Sequence, residues 1–265
     1  GFPGTSGAGF FDYVITDNIV TPPDVAEYYS ESFVAMPECY QVNNDRQEIA
    51  PDPVTRDEME LPRDAVVLAS FNNTYKLEPV MFAVSMEILK AVPDAVLWLL
   101  VNNPLAAENL KSEAEMAGID PGRLVFADVV PKPAHLKRMG LADLVLDTRI
   151  YNGHTTTSDA LWAGVPVLTL RGTHFASRVS ASILTAFGMP ELITETLDDY
   201  QDHAVALARD RTRLAELKRE TAAKRSAATL FDTKGFVRDL ERGYTEMWRR
   251  YRAGEPASRI DIGEL

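Results

Sequence analysis

Three short stretches carry side chains that bind anions: FNNTYK (Phe71–Lys76), DVVPKPAH (Asp128–His135) and YNGHTT (Tyr151–Thr156). Between them they supply the ammonium groups of Lys76 and Lys132, the imidazoles of His135 and His154, the amides of Asn72 and Asn73, and the hydroxyls of Thr155 and Thr156. Lysine donors, hydroxyls and free backbone N–H groups at a helix start are the chemistry that cradles a diphosphate or a nucleotide. Each residue also has a plainer reading. Thr156 and Asp159 stand at the [ST]-x-x-[DE] spacing of a helix-capping pair, which would leave His154 an ordinary loop residue. Lys76 and Lys132 read equally well as solvated charges, and His135, beside Leu136, as a half-buried structural histidine. Asp147, at a strand end, reads as structural. His174 and His203 stand without companions, and Arg178 is left unassigned.

The elements that must position these groups follow from pattern. VVLASF (Val66–Phe71), AVLWLLV (Ala95–Val101), RLVFAD (Arg123–Asp128), DLVLDT (Asp143–Thr148) and VPVLTL (Val165–Leu170) are apolar runs without polar alternation. Helical stretches at Val80–Ala91, Ala106–Ala117, Pro133–Met139 and from Thr155 or Thr156 to near Ala163 separate them. Strands of that kind between helices predict a parallel sheet covered on both faces, a doubly wound, Rossmann-like α/β fold. Gly164 is placed as a left-handed helix cap with Pro166 beyond it. In such a sheet all three polar stretches leave the carboxyl edge, where ligands of this fold class bind. Further helices are expected over Phe175–Ala186, Asp202–Arg225 and Phe236–Gly254. Ahead of the sheet lie a strand at Tyr13–Thr16, a helix opened by Thr21, and a proline-bearing polar stretch read as a linker. The expected organisation is a leading remnant over 1–45, a linker over 46–62, the nucleotide-binding lobe over 63–230, and a closing helix and tail over 231–265.

Composition narrows the function. With 265 residues, 46% apolar and 25% charged, the chain has enough material for a real core. Its net charge of −12 speaks against a nucleic-acid surface, so an anionic ligand must be held by a local site. No apolar run approaches the ~20 residues needed to cross a bilayer, and membrane association is not expected. A lone cysteine, Cys39, and scattered histidines build neither a disulfide nor a metal site, which fits a reducing, cytoplasmic setting. The glycine-rich start enters loop and strand at once, as if the chain began in the middle of a larger protein.

GFPGTSG, DYVITD, FNNTYK, VVPKPAH, NGHTTTSDALWAGVPVLT, ASRVSASIL and MWRRY, taken in this order, resemble the carboxyl-terminal catalytic region of the protein O-GlcNAc transferase family, in its bacterial form. The resemblance spans nearly the whole chain. It implies the nucleotide-sugar lobe of an inverting, metal-independent glycosyltransferase of GT-B architecture, without a cofactor, with UDP-GlcNAc as donor and protein Ser/Thr hydroxyls as acceptors. It further implies that Lys76 and Asn73 contact the diphosphate and that the Val130 backbone and His135 hold the uracil. Lys132 would reach the ribose region, with Arg138 nearby. His154, Thr155 and Thr156 would embrace diphosphate and sugar, Asp159 would bind the ribose, and Gly1 and Pro3 would face the sugar from the other lobe. Lys76 and His154 would be the catalytic pair. The remaining partners implied are a preceding lobe and TPR repeats of the same polypeptide. Tyr151 stands where animal members carry cysteine, and Asn73 where they carry a longer amide. A related UDP-glucose-dependent transferase, and a noncatalytic nucleotide-binding module, are the competing readings. Without a complete first lobe the chain is expected to bind UDP but not to transfer sugar, and its first ~45 residues are expected to pack poorly.

Overall fold

The structure, a computed structural model, describes residues 3–265, so Gly1 lies outside the described residues. In chain order the elements are β1 (Tyr13–Asp17), β2 (Ser32–Met36), β3 (Val66–Ser70), α1 (Pro79–Ala91), β4 (Ala95–Leu100), α2 (Pro104–Met116), β5 (Leu124–Ala127), α3 (Lys132–Met139) and β6 (Leu144–Leu146). They continue with α4 (Thr155–Trp162), β7 (Val167–Leu170), α5 (Val179–Phe187), β8 (Ile193–Thr194), α6 (Leu197–Arg209), α7 (Arg211–Lys224), α8 (Thr233–Ala253) and β9 (Ile260–Asp261).

The large sheet is parallel throughout, in the order β5-β4-β3-β6-β7-β8. Its central strand β3 is buried along its whole length, which is why its sequence shows no polar alternation. Successive strands run outward from β3 to β5; the chain then returns to the other side of β3 and continues from β6 to β8. The carboxyl ends of β3 and β6 therefore flank the point where the winding direction reverses, the place where open α/β sheets bind ligands. Gly164 takes the expected left-handed conformation (φ +80°) and ends α4.

Several elements differ from the sequence expectation, each for a local reason. The helix expected over Asp202–Arg225 begins at Leu197 and is divided at Asp210, whose non-helical backbone (φ −94°, ψ 81°) breaks α6 while its carboxylate caps α7 through the Arg213 N–H at 2.9 Å. The stretch after Thr21 forms only a 3₁₀ turn, Pro23–Tyr28, and β2 follows it unannounced. The helix expected from Phe175 starts as a 3₁₀ turn, Phe175–Ser177, before α5.

From β1 onward the leading segment is not poorly packed, contrary to expectation, whereas Phe10 and Phe11 ahead of it are exposed. β1 pairs with β2 over its full length, and β2 pairs in turn with β9, so the end of the chain supplies the strand that the beginning lacked. Val34, Met36, Ile260 and Ile262 form a second core on which Phe236, Leu240 and Met247 of α8 pack. The expected remnant over 1–45 and the expected tail over 231–265 thus share one layer. Asp17, at the end of β1, joins that layer to the large one: its Oδ2 accepts from the Tyr40 N–H at 2.8 Å and from Ser182 Oγ of α5 at 2.7 Å.

Candidate functional site

The loop after β3 ends in a short 3₁₀ turn, Thr74–Lys76, that brings Lys76 back over the sheet edge. Its Nζ donates to the Asn152 carbonyl at 2.8 Å and to Asn72 Oδ1 at 3.4 Å, and lies 4.1 Å from the centroid of the Tyr151 ring. Burial pushes the Lys76 ammonium below the ordinary lysine value, and the nearby Asp147 carboxylate opposes that. Asn73 is exposed, and its Oδ1 accepts from Thr74 Oγ1 at 3.4 Å. The amide that contacts Lys76 is its buried neighbour Asn72.

The loop after β6 is built around Gly153. A Cβ there would stand 2.4 Å from Thr157 Oγ1 and 3.1 Å from the Thr157 nitrogen, so no side chain fits without displacing the start of α4. His154 is the residue at the helix start, but its side chain does not cap it. The first backbone N–H groups of α4, from Thr155 and Thr156 onward, have no acceptor within the helix and face the edge. The imidazole packs against Tyr151 at 5.1 Å between centroids, and its Nδ1 lies 3.5 Å from the Tyr40 hydroxyl. Its Nε2 is buried without a partner. Burial, with Lys76 adding to it, pushes His154 down to about 4, so the ring is neutral at physiological pH.

The capping pair allowed by the spacing does not form. Asp159 turns instead toward α3, where its Oδ1 lies 3.0 Å from Lys132 Nζ. That contact is an ion pair by distance but is not aligned as a hydrogen bond, and Oδ1 is otherwise unsatisfied. Burial pushes the Asp159 carboxyl up, with Lys132 pulling it back. His135 sits one turn before Arg138, whose Nη2 donates to the Asp128 carbonyl at 2.6 Å and lies 3.2 Å from His135 Nδ1. Burial first, and then Arg138 and Lys132, push His135 down to about 4. Both side chains lie against the Phe71 ring at the end of β3, the imidazole at 5.2 Å and the guanidinium at 5.6 Å. The Val130 backbone lies in the connection between β5 and α3. Pro3 heads a separate loop, which Thr5 and Ser6 tie to Glu31.

Lys76, His154, Thr155 and Thr156 therefore meet at the winding reversal, and Lys132, His135, Arg138 and Asp159 form an adjoining wall. Buried nitrogens left without partners, His154 Nε2 and Arg138 Nε, mark where a polar ligand would complete the arrangement. A cavity of about 220 Å³ lies elsewhere, between Met36–Cys39 and the start of α8. The cationic and N–H groups converge instead on the sheet edge. Among the described residues no group of three or more His, Cys, Asp or Glu is placed to hold a metal ion. Likewise none of the described helices is long and apolar enough to cross a membrane. Tyr40 was invisible as a site residue in sequence, Asn72 was named only as one of two adjacent amides, and Asp147 was legible only as a strand-end carboxylate.

A probable UDP-N-acetylglucosamine–peptide N-acetylglucosaminyltransferase of Arabidopsis thaliana is 40% identical over 271 residues, covering 100% of this chain and 28% of its own length. A UDP-N-acetylglucosamine–peptide N-acetylglucosaminyltransferase of Caenorhabditis elegans is 39% identical over 78% of this chain and 18% of its own length. The chain thus spans less than a third of the curated relatives it matches. A solved mutant form of the Thermobaculum terrenum O-GlcNAc transferase superposes with a TM-score of 0.81 at 30% identity, covering 94% of this chain and 47% of that one. A sucrose-phosphate synthase from Thermosynechococcus elongatus, 14% identical with a TM-score of 0.60, shares the fold alone. The fold is that of a lobe of a GT-B glycosyltransferase. Residues 1–52 and 49–240 match a single described family, and with it the sheet edge acquires its context: the chain belongs to glycosyl transferase family 41.

Proposed function

We propose that this chain is the donor-binding lobe of a protein glycosyltransferase that moves N-acetylglucosamine from UDP-GlcNAc to serine or threonine hydroxyls. The observation that carries the reading is the convergence of Lys76, neutral His154 and the start of α4 at the winding reversal. In the reaction the acceptor oxygen bonds to the anomeric carbon as the bond from that carbon to the β-phosphate oxygen breaks. The electron pair leaves on UDP, and the acceptor proton passes to a base outside the groups assigned here. The Lys76 ammonium, the α4 N–H groups and the His154 Nε2–H would receive the charge growing on the diphosphate. That charge-neutralising role is one a divalent cation fills in other transferases, and the reading is of a reaction without metal or cofactor.

In this reading Asp159 accepts from the ribose, Lys132 guides it there, and His135, Arg138 and the Val130 backbone hold the base. Protein acceptors, a preceding lobe and TPR repeats are the proposed partners, in a cytoplasmic setting; the partial coverage of the relatives' length supports a larger polypeptide. Calorimetry with UDP, UMP and ADP tests the donor site: UDP binds tightest, and a chain indifferent to all three refutes the assignment. In the complete transferase Lys76→Ala costs ~10²–10³ in turnover with little change in melting temperature. Product mass after incubation with UDP-GlcNAc or UDP-glucose decides the sugar.

A further inference from the structure

Asp147 lies just beyond β6, 2% exposed, between the two loops that carry Lys76 and His154. Its Oδ1 accepts from the Gly153 N–H at 2.7 Å and from Asn72 Nδ2 at 3.2 Å, and its Oδ2 accepts from Thr169 Oγ1 at 2.8 Å. The Asn72 amide is oriented by this: its NH₂ is spent on the carboxylate, so its oxygen faces Lys76 Nζ at 3.4 Å. Gly153 is held on both sides, since the carbonyl of its peptide to His154 accepts from Ser180 Oγ at 3.0 Å. That peptide sets where His154 and the first turn of α4 begin. A carboxylate that only filled space would not join one loop to a lysine and the other to a helix start.

We propose that Asp147 is a positioning residue of the donor site: through Asn72 it aims the Lys76 ammonium, and through Gly153 it places the His154–Thr156 helix start, so that both reach one diphosphate together. The inference rests on the reading that a diphosphate binds at this edge. An asparagine at 147 presents one acceptor atom instead of two and turns its own NH₂ toward donors. With its oxygen kept on Gly153 and Asn72, its NH₂ faces the Thr169 hydroxyl, and the two loops are then held by a neutral amide instead of a carboxylate. The negative charge that opposes the desolvation of Lys76 also goes. The other groups facing Lys76 are the Tyr151 ring, neutral His154 and the Asn152 carbonyl, while Glu78 at the start of α1 is held by Arg149 at 2.8 Å.

The test pairs UDP calorimetry, run from neutral to alkaline pH, with NMR titration of lysines labelled at Cε, with Lys76→Arg assigning the Lys76 signal. In Asp147→Asn, Lys76 titrates at lower pH than in the parent. UDP binds about tenfold or more weakly at neutral pH, as for the loss of a charge-assisted donor, and the alkaline fall in affinity moves down with the lysine. Asn72→Ala, which leaves Asp147 its bonds to Gly153 and Thr169, shifts both readouts in the same direction by less. A folded Asp147→Asn protein that melts lower yet keeps the parental Lys76 titration and UDP pH profile overturns the proposal. If that variant does not fold, an unmoved Lys76 titration in Asn72→Ala overturns it. The lysine titration needs no nucleotide, so a parent that ignores UDP refutes the donor-site reading separately.

Discussion

Asp159 is buried with an acceptor atom held only loosely by Lys132, whose side chain is 49% exposed. A half-exposed ion pair adds little to folding, and in the proposed reading the carboxylate accepts from the ribose. Asp159→Ala should weaken UDP by roughly 1.5–3 kcal/mol, the worth of a hydrogen bond to a charged acceptor, with melting temperature nearly unchanged; calorimetry that returns the parental affinity removes Asp159 from the site. The two site histidines make a second expectation. His135 and His154 are held down from 6.5 to about 4, so the folded chain keeps them neutral while the unfolded chain protonates them near 6.5. Between those values the unfolded state binds more protons, and stability must fall as pH drops from 6.5 toward about 4 and then stop changing on their account. His154→Gln should flatten the dependence of melting temperature on pH in that window. A slope equal to the parent's would show that His154 is not buried neutral.

Among the elements, α4 is short, and its start is set by a single crowded glycine. Gly153→Ala puts a Cβ 2.4 Å from Thr157 Oγ1, 3.1 Å from the Thr157 nitrogen and 3.3 Å from Asp147 Oδ1. Two of these are a tightly held carboxylate and a helix backbone, which cannot both retreat, so the loop must move outward. A destabilisation of about 1–3 kcal/mol is expected from overpacking of this kind, together with a loss of UDP affinity larger than stability alone explains. Denaturant unfolding and UDP titration on the same preparation check both. A variant with unchanged UDP affinity would show that the helix start need not be placed so closely.

Over the whole molecule, the two ends of the chain meet in one small sheet. Ile260 and Ile262 are almost wholly buried, and Gly243 of α8 admits Ile262 and Val34 so closely that a Cβ would stand 3.1 Å and 3.2 Å from them. Ending the chain after Gly254 should therefore strip β2 of a partner and expose Val34 and Met36, while the six-stranded sheet keeps every hydrogen-bonded neighbour. Hydrogen exchange should quicken in β1 and β2 and stay slow in β3, β4 and β6. Uniform loss of protection would mean that the two layers fold as one unit.

The alternation of apolar runs and helices, the left-handed Gly164 and the convergence of three polar loops at one sheet edge were determined by the sequence alone. They depend on local periodicity, on backbone freedom and on the rule that parallel strands place their following loops on one side. The edge on which Lys76, Lys132, His135 and His154 lie was legible for the same reason: Lys76 and His154 sit in the connections that follow β3 and β6, and Lys132 and His135 in the first turn of α3 after β5. What only the tertiary structure decided are relations across large separations. Asp147 reaches Asn72 across 75 residues, Tyr40 reaches His154 across 114, and β9 completes a sheet begun at Tyr13. The choice of Asp159 between capping Thr156 and pairing with Lys132 belongs with these. Local spacing permits the cap, but α3 and α4 come side by side only when β5 and β6 take their places on opposite sides of β3.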